Sequence, residues 1–354
     1  MFTRLACVSV ALFLAAGPSL AQDPFHDETQ VPIGIGSSAP TLHVATWLKG
    51  SPVASFEKEK IYVIEFWTTW SSACMTSMPH LSALQRKYKD KGVTVIGLSS
   101  PDPRNDLTAV QSMVNRRGDV MDYTVAWDDV RRTRAAYMEA AGRRTIPTVF
   151  VVDGAGKLAY IGGAAFLDPP LEQIVAGTWD AKKGNAVVEA ATRALDAIPD
   201  SMEQDPEAML ARISEFEKTY PEYANLVAVL KFRALLAEGD GPAAYAWASK
   251  VVDDAIEHAD AAMLNAVAWA IVDPGKHWAE VDLDLAQRAA EKCVALTDGK
   301  DGGLLDTLAR VCFLKGDVEK AIEIETKALA LSSGRVKEDV EKALAEYKSK
   351  AGRG

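Results

Sequence analysis

Three residues within ten positions are the candidates for chemistry: Glu65, Ser71 and Cys74. A thiol can exchange with a disulfide, and a buried carboxyl with a raised pKa can accept the thiol proton near neutral pH. Ser71, three residues before Cys74, carries a hydroxyl, which attacks disulfides poorly and cannot form the mixed disulfide through which exchange proceeds. The pattern therefore predicts a site with a single thiol, at Cys74, in which the hydroxyl of Ser71 takes no part in disulfide exchange.

The remaining cysteines lie far along the chain. Cys7 falls in an apolar leader, so that Cys74, Cys293 and Cys312 remain after its removal, and an odd number leaves at least one thiol free or paired with another molecule. Cys293 and Cys312 occupy small-residue positions of a helical pattern. Either both are packing residues or they bridge neighbouring helices, which requires Cα atoms within about 7 Å.

The leader predicts export. Residues 1–21 combine an early Arg4, an apolar run and small residues before Gln22, which is typical of a cleaved signal peptide, and 22–36 are expected to form a linker. The apolar run is about 11 residues, well short of the roughly 20 that span a bilayer. The sequence predicts no membrane span and a periplasmic or extracellular location.

Composition limits the class of partner. The chain has 354 residues, 48% apolar and 25% charged, and a net charge of -10 without clustered Lys and Arg, which argues against nucleic acid. Gly34-Ile35-Gly36 lies before any strand, so it predicts no phosphate loop and no cofactor. Cys74, Met75, Met78 and His80 are soft ligands, but they extend over nearly two helical turns, and no metal site is predicted.

Two kinds of pattern divide the chain. In 37–180, short β-branched and aromatic runs alternate with helical segments and end in a hairpin at Asp153-Gly154-Ala155-Gly156, which predicts an α/β domain with a mixed central sheet. In 185–354, alanine-rich helical patterns follow one another and predict an all-α domain. Its clearest part, 262–331, repeats small residues at an offset of 35 and resembles tetratricopeptide repeats.

Segment 65–74, Glu-Phe-Trp-Thr-Thr-Trp-Ser-Ser-Ala-Cys, closely resembles the active-site segment of TlpA/ResA-type thioredoxin-like proteins, which are exported thiol-disulfide oxidoreductases. Ala39-Pro40 and the segment 145–148, Thr-Ile-Pro-Thr, agree with that family. The resemblance covers 36–179 and implies a thioredoxin-like fold.

The resemblance also assigns roles to six residues. Cys74 takes the place of the resolving cysteine, Glu65 that of the acid which accepts its proton, and Ser71 that of the attacking cysteine. The residues implied to bind substrate are Trp70, Ile146 and the cis-proline Pro147.

Two functions follow as hypotheses. The first is a binding protein that keeps the groove for an exported protein or peptide, possibly one with thiols, but has lost dithiol exchange. The second is a one-cysteine redox enzyme in which Cys74 reduces peroxide or forms a mixed disulfide, for which the thiol must be exposed and acidic.

Overall fold

The structure is a computed structural model that describes residues 31–198, 205–276, 278–279, 281–332 and 334–352. The predicted signal peptide, 1–21, lies outside these residues. No helix in the described ranges combines the length and the apolar character needed to cross a bilayer.

A six-stranded mixed sheet forms the centre of the first domain. Its strands are β1 (Thr46–Lys49), β2 (Ile61–Trp67), β3 (Val93–Ser99), β4 (Thr124–Trp127), β5 (Thr148–Val152) and β6 (Leu158–Gly162), in the spatial order β1-β4-β3-β2-β5-β6. Strands β2, β3 and β4 are parallel, whereas β1, β5 and β6 run antiparallel to their neighbours. The prediction of a thioredoxin-like α/β domain with a mixed sheet is confirmed.

Strand β2 lies inside the sheet, and all seven of its residues are buried, which explains its nearly continuous apolar sequence. Alternate side chains enter two layers: Val63 and Trp67 pack in one apolar cluster with Cys74, and Ile64 and Phe66 pack in the cluster on the opposite face. Glu65 lies two positions from both Val63 and Trp67 along the strand and therefore points to the same face of the sheet. This places its carboxyl under the helix that carries Cys74.

Four helices accompany the sheet: α1 (Ser72–Tyr88), α2 (Leu107–Arg117), α3 (Arg132–Arg134) and α4 (Asp168–Ala176). Helix α3 continues as a π-helical turn through 135–139, whereas the sequence predicts an ordinary helix over 131–141. Arg131 itself has a left-handed φ of 58°, and the buried Asp128 accepts backbone hydrogen bonds from Arg132 and Arg134. The helix therefore begins one residue later than expected.

The rest of the chain is helical, with nine helices in the described residues. They are α5 (Ala181–Asp196), α6 (Pro206–Thr219), α7 (Ala228–Glu238), α8 (Gly241–Glu257), α9 (Ala261–Val272), α10 (Leu283–Leu296), α11 (Gly302–Leu314), α12 (Val318–Leu331) and α13 (Gly334–Ala351). Aspartate caps the N-terminus of seven of them, namely α5, α6 and α8 to α12. The assignment of this region to tetratricopeptide repeats stays a prediction.

The helical region packs directly on the α/β domain. Asn185 of α5 is buried and donates to the carbonyl of Ala159 in β6, while its Oδ1 accepts from the N–H of Ile161. Farther along, Arg117 of α2 forms an ion pair of 3.0 Å with Asp301, the cap of α11. Within the helical core, Cys293 and Cys312 are both buried free thiols, as is Cys74 in the first domain.

Candidate active site

The predicted site lies at one edge of the sheet, where the neighbouring strands β2 and β3 end and β5 begins. Trp67 at the end of β2 pairs with Ser99 at the end of β3, and Phe66 pairs with Thr148 at the start of the antiparallel β5. The loops 68–71, 100–106 and 144–147 therefore lie side by side at this edge. The Ile146–Pro147 peptide bond is cis, as the resemblance implies.

Ser71 is the N-cap of α1. Its backbone is extended, and its hydroxyl oxygen accepts a hydrogen bond of 3.4 Å from the backbone N–H of Cys74. The first turn of α1 contains no acidic residue, so no negative side chain offsets the positive end of the helix dipole there. An atom in the place of the Ser71 oxygen therefore occupies a position where a negative charge is stabilised.

Cys74 is completely buried, with a relative exposure of 0%. Burial raises the pKa of its thiol, and the hydrogen bond with Ser71 offsets this only in part. Near neutral pH the group is therefore a shielded thiol rather than an exposed thiolate, which is the opposite of what a one-cysteine catalyst requires.

Glu65 is also completely buried, on the same side of the sheet as Cys74. Burial raises the pKa of its carboxyl to about 8, although a hydrogen bond from Ser77 and the charge of His80 both act to lower it. Glu65 is therefore mostly protonated at pH 7, and it becomes a proton acceptor only in mildly alkaline solution.

Ser77, one turn after Cys74, connects the carboxyl of Glu65 with the backbone of Cys74. No motif in the sequence singled it out. Its Oγ lies 2.5 Å from Oε1 of Glu65 and 2.9 Å from the carbonyl oxygen of Cys74. A hydroxyl has one hydrogen and cannot donate to both oxygens. When Glu65 is protonated its own O–H donates to Ser77, and Ser77 then donates to the carbonyl, so the neutral acid satisfies both contacts.

A second neighbour of Glu65 is His80, whose Nε2 lies 3.2 Å from Oδ2 of Asp168 in α4. Burial lowers the pKa of His80, but the ion pair with Asp168 outweighs it, together with weaker attraction from Asp260 and Glu65, so that the pKa is raised overall. His80 therefore connects α1 with α4 beside the buried acid. Its pairing could not be read from sequence because Asp168 is 88 positions away.

Trp70 forms the exposed rim of the site, with 43% of its surface accessible. Its indole N–H donates to both carboxylate oxygens of Asp102, at 3.0 and 3.2 Å. The guanidinium of Arg104 lies 3.7 Å from the ring centroid and covers one face of the indole. Trp70 is thus held at its edge and at one face by a loop from the neighbouring strand.

Asn105 attaches that loop to the active-site loop. It is 2% exposed, and its Oδ1 accepts hydrogen bonds from the backbone N–H and the hydroxyl of Thr69, at 2.9 and 2.8 Å. Its amide nitrogen donates to Ser99 Oγ and to the carbonyl of Ser100. The loops that follow β2 and β3 are consequently one rigid platform.

The structure brings the predicted residues together in two groups. Glu65 and Cys74 are buried under α1 with Ser71 at its start, whereas the implied substrate-binding residues Ile146 and Pro147 are half-buried and lie at the same sheet edge as the exposed Trp70. Among the described residues, no three side chains of His, Cys, Asp or Glu are grouped as a metal would require.

The first domain is similar to known proteins. Residues 35–174 match the Redoxin family model. Thiol-disulfide oxidoreductase ResA of Bacillus thuringiensis (strain Al Hakam) is 34% identical over 145 residues, which cover 41% of this chain and 77% of the relative. Protein FixW of Rhizobium leguminosarum is 28% identical over 153 residues, 42% of this chain and 69% of the relative.

Solved structures match a similar share of the chain. A putative thiol:disulfide interchange protein DsbE from Chlorobium tepidum is 21% identical, with a TM-score of 0.35, and the match covers 40% of this chain and 99% of that protein.

Proposed function

Because this chain belongs to the redoxin family of TlpA/ResA-type thioredoxin-like proteins, we propose that it is an exported protein that binds a protein or peptide in the family's groove and no longer exchanges disulfides. The family relationship accounts for the fold, and the groove is proposed from the resemblance of Trp70, Ile146 and Pro147 to the family's substrate-binding residues. The loss of turnover is proposed for this chain from its own residues, and export from the leader in its sequence.

The observation that carries the proposal is the oxygen of Ser71. It caps α1 three residues before Cys74, at the place where the resemblance puts the attacking sulfur. No disulfide can close between Ser71 and Cys74, and no mixed disulfide can form at Ser71. The one thiol left at the site is buried and has a raised pKa, which supports binding rather than one-cysteine catalysis.

Two measurements test the proposal. In an insulin-reduction assay with dithiothreitol, the wild-type protein should give no acceleration above buffer. In an NMR titration, the carboxamidomethylated B chain of insulin, an unfolded probe without free thiols, should shift the indole N–H signal of Trp70. That signal is assigned from its absence in Trp70→Phe. Clear turnover refutes the loss of activity, and an unmoved indole signal refutes the groove as a binding site.

Alkylation of Cys74 separates the binding protein from the one-cysteine enzyme. Since the thiol is buried, we expect reaction with iodoacetamide at pH 7.5 to be slower than in the denatured protein by about 100-fold or more, because local opening must come first. Mass spectrometry of tryptic peptides measures the rate at each cysteine, with the buried Cys293 as an internal reference. Rapid labelling of Cys74 alone in the native protein would favour the enzyme.

A further inference from the structure

We propose that the groove selects partner segments that carry a carboxylate side chain, and that the guanidinium of Arg104, stacked on Trp70, is the group that recognises it. This inference deepens the proposed function and rests on it. It names the chemical class of the partner, which is an extended segment with a glutamate or aspartate. It also names the residue that binds the carboxylate, which is Arg104.

Arg104 is presented in a defined position. The neighbouring Asn105 is buried and hydrogen-bonded to Thr69 and Ser99. The backbone N–H of Arg104 donates to Asp102 at 2.7 Å, and the guanidinium of Arg104 lies over the ring of Trp70. A guanidinium that is already ordered loses little conformational entropy when it binds a ligand. The planar group can also pair with a carboxylate through two parallel N–H bonds.

The charge of Arg104 is available to a ligand. The side chain is exposed and, in the described part of the chain, forms no ion pair. Two acids share its loop, and neither forms an ion pair with Arg104 in the described residues: Asp102 accepts from the indole of Trp70 and the backbone of Arg104, and Asp106 accepts from the backbone of Ala109 at the start of α2.

The position of Arg104 suits a segment that crosses the groove. The loops of β3, β2 and β5 follow one another along the edge, and neighbouring strands lie about 4.8 Å apart, so Arg104 and Pro147 are separated by about two strand spacings. An extended peptide advances about 3.3 Å per residue. A carboxylate about three residues from the residue at Pro147 therefore reaches Arg104.

Three peptides that differ at one position test the inference. Acetylated and amidated decapeptides of serine, glycine and valine, with a central Glu, Gln or Lys, are titrated into the full-length protein, and the indole N–H signal of Trp70 is followed by NMR. In the wild type at low salt we expect the Glu peptide to bind about 5-fold more tightly than the Gln peptide, the Lys peptide to bind least, and 0.5 M NaCl to reduce the difference.

Variants assign the effect to Arg104. Arg104→Gln should abolish the preference for Glu, and Arg104→Lys should keep part of it, since a lysine retains the charge without the planar pair of donors. Arg116→Gln, at an exposed position on α2, is the matched control and should keep the wild-type preference. Thermal unfolding of each variant checks that the platform is intact.

The outcomes separate this inference from the function on which it rests. Equal binding of Glu and Gln peptides by the wild type, or a preference that survives Arg104→Gln, overturns the role of Arg104 but leaves groove binding standing. If neither the decapeptides nor the carboxamidomethylated B chain shifts the Trp70 signal, both proposals fail.

Discussion

Ser71→Cys should convert the protein into a disulfide reductant, with insulin reduction in the presence of dithiothreitol rising at least about tenfold above wild type. The new sulfur would stand at the N-cap of α1, where the helix dipole and unpaired N–H groups favour a thiolate and where no acidic side chain in the first turn opposes it. Cys74 lies three residues on, within the Cα separation that a disulfide needs.

Two further variants show whether that activity has the expected origin. Ser72→Cys places a thiol at the neighbouring exposed position and should remain inactive, because its side chain does not occupy the cap. The double variant Ser71→Cys/Cys74→Ser should accumulate mixed disulfides without turnover, since the resolving sulfur is gone. If the single variant forms the internal disulfide but reduces no insulin, the protein has lost more than its attacking sulfur.

Glu65 should make the native protein less stable as the pH rises. Its folded-state pKa of about 8 lies above the usual value near 4.5, so the folded state holds a proton that the unfolded state has lost between these two pH values. The stability that this proton contributes is complete below about pH 4.5 and is lost as the pH rises through 8. Within that window the free energy of unfolding should fall by up to about 1.4 kcal/mol per pH unit.

Glu65→Gln removes the titrating group and tests this dependence. We expect the variant to be more stable than wild type at pH 9 by about 2 kcal/mol or more, and close to wild type at pH 5, where the neutral acid and the amide resemble each other. Urea unfolding followed by circular dichroism at pH 5, 7 and 9 measures the difference.

Glu325 requires a control in this experiment. Burial and the nearby Asp306 together raise the pKa of its carboxyl to about 9, so Glu325 acts in the same direction in both proteins. The difference between variant and wild type at each pH isolates Glu65. Glu172→Gln, at an exposed position on α4, is the matched control and should leave the profile unchanged. A profile equally steep in wild type and Glu65→Gln would show that Glu65 is already ionised in the folded state.

Local patterns in the sequence were sufficient for the fold of the first domain. Buried strands such as β2 need continuous apolar runs, and the turn residues between β5 and β6 mark a hairpin, so both signals are contained in a few consecutive residues. The π-helical turn at 135–139 was not foreseen, because the capping carboxylate of Asp128 and the left-handed Arg131 are tertiary features with no periodic signature.

For the site, the sequence by itself determined which atoms are present: an oxygen at Ser71, one sulfur at Cys74, a carboxyl at Glu65 and a proline at 147. Residue identity alone leads to the proposal that dithiol exchange is lost at 71–74, since the chemistry of exchange requires two sulfurs. Only the tertiary structure decided that Cys74 is shielded, that Glu65 is protonated near neutral pH, and that Arg104 covers Trp70. Burial, pKa and stacking depend on segments far apart in the chain, and these meet only when the loops of β2 and β3 are joined at one edge of the sheet.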